Sequence, residues 1–138
     1  MFRSIFASLA VLLGCADAAA PAATAPTSAP PAAAAAVRSV DVATLKADLD
    51  RGAVPLLVDV RTPDEFASGH VPGAKNVPLD QLAARLGEFG TADTEVYVVC
   101  QSGRRSASAS DTLAAQGLRP VDVRGGTSAW QAAGFVVE

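Results

Sequence analysis

The segment Cys100-Gln101-Ser102-Gly103-Arg104-Arg105 gathers a thiol, a hydroxyl, a glycine and two guanidinium groups directly after the apolar run Val96-Tyr97-Val98-Val99. A cysteine that merely ends a buried strand behaves as a small hydrophobe, and such a position does not collect polar neighbours. A cysteine at the start of a helix, beside cationic side chains, is instead stabilised as a thiolate, the nucleophilic form. A loop in that place can also turn its backbone N–H groups toward one point and cradle an anion. Cys100 is therefore expected to be a reactive, exposed thiolate, with Gln101, Ser102, Gly103, Arg104 and Arg105 forming the loop that binds a small anionic substrate. Asp59 and Arg61 read as a charge pair that braces the site, Arg61 being the one that could also face the anion. His70, between Gly69 and Val71-Pro72, reads as a turn-fixing hydrogen-bond donor, and Trp130 as core packing. Two cysteines and one histidine in the whole chain are too few for a closed zinc site, so no metal and no cofactor is expected.

The elements that must carry this loop alternate. Asp41 predicts an N-cap before Val42, Leu45 and Leu49 at helical spacing, with Gly52 as the stop. Residues 55–60 form a nearly continuous, branched apolar run, as in a strand covered on both faces. Thr62-Pro63-Asp64-Glu65 supplies an N-cap, a proline in the first turn and a capping-box glutamate, and Gly69 ends that helix. A short strand near 74–77 and a helix with Leu79, Leu82 and Leu86 inward follow. Then come a strong strand at 95–99, a helix from Ser106 to Gln116 closed by Gly117, a strand at 120–123 and a last helix near 127–132. Strands separated by helices imply an α/β fold, with a mostly parallel central sheet and helices on both faces. Ligands of such sheets bind at the carboxyl ends of the strands, which is where Cys100 stands.

Three separated motifs carry a resemblance. Residues Asp59-Val60-Arg61-Thr62-Pro63-Asp64-Glu65-Phe66-Ala67-Ser68-Gly69-His70-Val71-Pro72-Gly73-Ala74 resemble the first signature of rhodanese-like domains. Cys100 to Ser106 resembles their active-site loop, and Arg124-Gly125-Gly126 with Trp130 resembles their closing Gly-Gly…Trp pattern. The resemblance covers residues 37–138 in the right order. It implies a single rhodanese-like domain and sulfane-sulfur transfer, in which Cys100 attacks a sulfur-containing anion such as thiosulfate, holds the sulfur as a persulfide and yields it to a thiophilic acceptor. Arg105 matches the family's loop-closing arginine, while Gln101 stands where many members carry arginine and Arg104 fills a variable position. Four residues separate Cys100 from Arg105, one fewer than in the related phosphatases and arsenate reductases, whose wider ring suits a tetrahedral oxyanion. The shorter ring favours a sulfur atom. The alternative is a persulfide carrier or protein-interaction module loaded by a partner and without turnover of its own.

The first residues read as an address. Arg3 precedes the apolar run Ile5 to Leu13, too short for a hydrocarbon core that needs about 20 residues, and residues 1–18 are expected to be a secretory signal peptide. Leu12-Leu13-Gly14-Cys15 resembles a bacterial lipobox, making Cys15 the expected lipidation site and the outer membrane, facing the periplasm, the expected location. Ordinary cleavage after Ala16-Asp17-Ala18 is the rival. Residues 16–36 contain thirteen alanines and four prolines, the composition of a semi-flexible spacer. A net charge of −3 and 5% aromatic content give no nucleic-acid surface. Residues 37–99 hold six basic and ten acidic side chains and 100–138 four and three, so the part bearing the loop is locally positive and would steer a small anion.

Overall fold

Why the apolar runs become strands is clearest at Leu56–Asp59 and Glu95–Val99. Their alternate residues point to opposite faces, and both faces are covered. The structure, a computed structural model, describes residues 36–138; the expected leader, Cys15 and all of the spacer before residue 36 lie outside the described residues. In chain order the elements are β1 (Arg38–Val40), α1 (Val42–Asp50), β2 (Leu56–Asp59), α2 (Pro63–Ala67), β3 (Lys75–Asn76), a 3-10 segment (Leu79–Phe89), β4 (Glu95–Val99), α3 (Arg104–Ala115), β5 (Arg119–Val123) and α4 (Gly126–Ala132). The strands form one five-stranded sheet in the order β1-β5-β4-β2-β3, and every pairing is parallel. The register sets Asp59 beside Val99, so β2 and β4 end together and Cys100 emerges beside the turn that carries Arg61.

One face of the sheet, through Val58, Val60, Val96 and Val98, packs on Leu82 and Phe89 of the 3-10 segment and on Ala109 and Leu113 of α3. The other, through Leu57, Tyr97, Val99, Val121 and Val123, packs on Leu45 of α1 and Trp130 of α4. Trp130 is buried, and its Nε1–H donates to the Val136 carbonyl at 2.8 Å. Among the described residues no helix is long and apolar enough to cross a membrane.

The local signals at the two early helices act as their chemistry dictates. Asp41 caps α1 by accepting from the Thr44 N–H, and Thr62 with Glu65 closes a full capping box on α2. Three elements differ from the sequence expectation. The strand β1 is absent from that expectation, because three residues carry too little pattern to separate a strand from a loop. The segment expected as a helix is 3-10 in type and breaks at Arg85 (φ −111°, ψ 18°). Leu79 with Leu82 and Leu86 with Phe89 are each three residues apart, the period of a 3-10 turn, and the break lets each pair face the sheet. Finally, α3 begins at Arg104 rather than Ser106. Gly103, at φ +93°, turns the chain into the helix two residues early and places both arginines in its first turn.

Candidate active site

Cys100 is only 1% exposed, which corrects the expectation of an exposed thiolate. The sulfur is covered because the chain leaves β4, makes a three-residue turn and immediately folds back as α3. The left-handed conformation of Gly103 aims its backbone N–H at the sulfur, donating to Cys100 Sγ at 3.1 Å. The bond from Ala107 N–H to Gly103 O, at 3.3 Å, is the first of α3, so the amides of Arg104, Arg105 and Ser106 precede the helical ladder. The site thus has the positive end of a twelve-residue helix behind it.

The far wall of the loop is the start of α4. Thr127 N–H donates to Cys100 O at 2.8 Å and Ser128 N–H to Gln101 O at 3.0 Å. This contact is so close that a Cβ on Gly126, which has φ +58°, would sit 2.1 Å from Cys100 O. A glycine is required there by both the backbone conformation and the space.

The side chains of the expected site residues divide into those that build the loop and those that face the solvent. The Gln101 amide bridges inward: it donates to Ser128 Oγ at 2.7 Å and accepts from Arg61 Nη1 at 3.0 Å. Arg61 is 2% exposed and spends the rest of its guanidinium on the Asp59 carboxylate, at 2.8–3.0 Å, and on the Gly69 carbonyl at 2.8 Å. Asp59 and Arg61 therefore form the bracing pair, and Arg61 does not face the mouth as an anion ligand. Arg105 forms a two-pronged ion pair with Glu65 of α2, both contacts 2.7 Å. That bond, aided by the Thr62 N–H, lowers the Glu65 carboxyl from 4.5 to about 2. The same pairing raises the Arg105 guanidinium, with smaller contributions from Cys100 and Asp59. Ser102 and Arg104 are exposed, and with Leu79, Arg105 and Ser108 they line a depression of about 450 Å³ at the mouth of the loop. Among the described residues Arg104 makes no salt bridge. His70 lies apart from the loop: its ring stacks on Phe66, with Nδ1 3.1 Å from the Phe66 carbonyl, and its backbone pairs with Glu138 in both directions.

Several residues of this site escape a reading of the sequence. Glu65 reads there only as a cap, and Ser128 only as part of a helix. Ser106 and Asp122 read as members of a helix and a strand, yet the Ser106 hydroxyl donates to Asp122 Oδ1 at 2.6 Å and lies 3.8 Å from Cys100 Sγ. The signal available for Asp122 is a lone charge between Val121 and Val123.

Comparison with known proteins agrees with the motifs. Residues 41–133 match the family model of the rhodanese-like domain. The uncharacterised protein YqhL of Bacillus subtilis is 44% identical over 75 residues, covering 54% of this chain and 59% of that protein, so the chain spans little more than half of that relative's length. A sulfurtransferase of Allochromatium vinosum is 40% identical over 83 residues, covering 59% of this chain and 77% of the relative. Among solved structures, a rhodanese-like domain protein from Staphylococcus aureus superposes with a TM-score of 0.64 at 37% identity, covering 68% of this chain and 91% of that one.

Proposed function

The chain belongs to the rhodanese-like domain family, and from that premise we propose that it is a sulfurtransferase that carries sulfane sulfur on Cys100. The observation that supports this most directly is the placement of the Cys100 sulfur at the head of α3, with the Gly103 amide donating to it at 3.1 Å inside a loop closed by α4. Backbone donors fixed before reaction stabilise negative charge on sulfur without reorganising. In the proposed cycle the Cys100 thiolate attacks the outer sulfur of a donor such as thiosulfate. A new S–S bond forms, the donor's own S–S bond breaks, and sulfite leaves with the electron pair. A thiophilic acceptor then attacks the terminal sulfur of the persulfide and releases the Cys100 thiolate. The reaction consumes no oxidant or reductant.

Arg104 and Ser102, at the mouth, are the groups placed to meet the donor's oxygens, while Gln101 and Arg105 hold the loop in shape. In the cell we propose that the domain works outside the cytoplasm, tethered through a lipid on Cys15 and held off the membrane by the alanine- and proline-rich spacer. The test of the reaction is thiocyanate formation from thiosulfate and cyanide. Cys100→Ser, whose hydroxyl is neither ionised nor nucleophilic toward sulfur at neutral pH, is expected to abolish it while leaving the circular dichroism unchanged. Activity retained in that variant contradicts the assignment.

A further inference from the structure

The start of α4 does more to the cysteine loop than wall it off. Thr127 and Ser128 donate their N–H groups to the carbonyls of Cys100 and Gln101, at 2.8 and 3.0 Å. Among the described residues no peptide bond is cis, and in a trans peptide the carbonyl and the N–H that follows it point in opposite directions. Pinning these two carbonyls on α4 therefore turns the N–H groups of Gln101 and Ser102 away from it. Among the described residues neither of those N–H groups donates to a backbone carbonyl. The next amide along, that of Gly103, donates to Cys100 Sγ at 3.1 Å. A Cβ on Gly103 would lie 3.0 Å from the Gly125 nitrogen, so the whole turn rests on the beginning of α4.

One side chain secures this arrangement. A guanidinium has donors and no acceptor, so the Gln101 atom that faces Arg61 Nη1 at 3.0 Å is the carbonyl oxygen, and the atom that faces Ser128 is the amide nitrogen. Ser128 Oγ is then the acceptor, at 2.7 Å. Ser128 holds Gln101 twice, at the main chain through its N–H and at the side chain through its hydroxyl, while Arg61, buried on Asp59, holds the other side of the same amide. We propose that Ser128 is a positioning residue for sulfur transfer: by fixing Gln101 it keeps the N–H groups of Gln101 and Ser102 turned to the sulfur atom that Cys100 carries. The inference rests on the sulfur-transfer reading above. Donors fixed before reaction stabilise charge on sulfur without reorganising, and a Gln101 held at one side only lets the two peptide planes swing out of place.

Positioning and stability separate cleanly at this residue. Ser128 is exposed, so replacing it leaves no cavity and no buried unpaired group, the usual sources of a large destabilisation. Its N–H survives in the alanine variant, so the main-chain bond to Gln101 stays and the grip on the Gln101 side chain alone is lost. The effect therefore belongs in the rate of the sulfur-bearing step, not in the melting temperature.

The experiment follows sulfur uptake from thiosulfate by mass, across thiosulfate concentration, in wild type, Ser128→Ala, Ser128→Thr, Gln101→Ala and the double variant Gln101→Ala with Ser128→Ala. Ser128→Ala is expected to lower the maximal rate about fivefold, the worth of one neutral hydrogen bond, with the half-saturating concentration and the melting temperature unchanged. Ser128→Thr, which keeps the hydroxyl, is expected to restore the rate. The double variant is expected to be no slower than Gln101→Ala, because residues that act through one another are not additive. An unchanged maximal rate in Ser128→Ala overturns the proposal, as does a loss that Ser128→Thr does not restore or a double variant slowed by the product of the single effects. So does a rise in the half-saturating concentration alone, which would make Ser128 a contact of the donor. Failure of the sulfur-transfer reading is separately visible: wild type then takes up no sulfur, and hydrogen exchange of residues 100–103 in the same variants judges the positioning. Faster exchange in Ser128→Ala, restored in Ser128→Thr and no greater in the double variant than in Gln101→Ala, supports it; exchange unchanged in Ser128→Ala overturns it.

Discussion

Arg61, Arg104 and Arg105 are one type of residue with three different employments. Arg61 is buried against Asp59 and Gln101, Arg105 is held by Glu65, and Arg104 stands at the mouth of the loop with no salt bridge among the described residues. An exposed cation facing a small dianion contributes about 1 kcal/mol or less. Arg104→Ala is therefore predicted to raise KM for thiosulfate severalfold, with kcat and the melting temperature little changed; steady-state kinetics beside a thermal melt checks this. Loss of kcat with unchanged KM would instead place Arg104 in the chemistry. The residue types and spacing from Cys100 to Arg105 were legible as one polar, cationic loop at the end of a buried strand. The division of labour among the arginines was not, because it is decided by Glu65, 40 residues from Arg105, and by Gln101, 40 residues from Arg61. No local pattern carries that information. Asp122 was not singled out in the sequence, because its hydrogen-bond partner, Ser106, is 16 residues away.

At the scale of elements, the loop is shaped by what α2 and α4 do to it. The Glu65–Arg105 pair ties α2 to the first turn of α3 and should leave a signature in acid. The Glu65 carboxyl is held at about 2 in the fold against an ordinary 4.5. A lowered carboxyl stabilises the fold fully above the unfolded value and loses that contribution as pH falls from 4.5 through about 2. Glu65→Gln keeps a capping-box residue on α2 but removes the charge. We predict that wild type is more resistant to urea than this variant near neutral pH and that the difference shrinks below pH 4.5; a difference constant with pH would assign the effect to packing. The early helices were legible because their caps are chemical signals. The start of α3 was not, since it turns on one glycine conformation, and the 3-10 segment was not, since spacings of three and four residues overlap in so short a run. Gly125-Gly126 could be read as a motif, but the reason for it, backbone of α4 pressed against backbone of the cysteine loop, needs the fold.

Taken as a whole molecule, the domain is a parallel sheet with Cys100 at the carboxyl ends of the central strands β4 and β2, as the alternation of apolar runs and helical segments implied. The burial of Cys100 was not implied, because it comes from two helix starts converging on one strand end. We propose that the preceding chain sets where the domain works. If Cys15 carries a lipid, wild type will sediment with membranes and Cys15→Ala will be released or remain unprocessed; a soluble mature protein starting at Ala19 would establish ordinary cleavage instead. The central claim, that Cys100 is a sulfur carrier in transfer, is tested most directly by the intact mass of the purified protein after incubation with thiosulfate. The account predicts a gain of one sulfur atom, located on Cys100, absent in Cys100→Ser and removed on adding cyanide. A wild-type protein that gains no sulfur from thiosulfate, or a Cys100→Ser variant that gains it equally, would contradict the account.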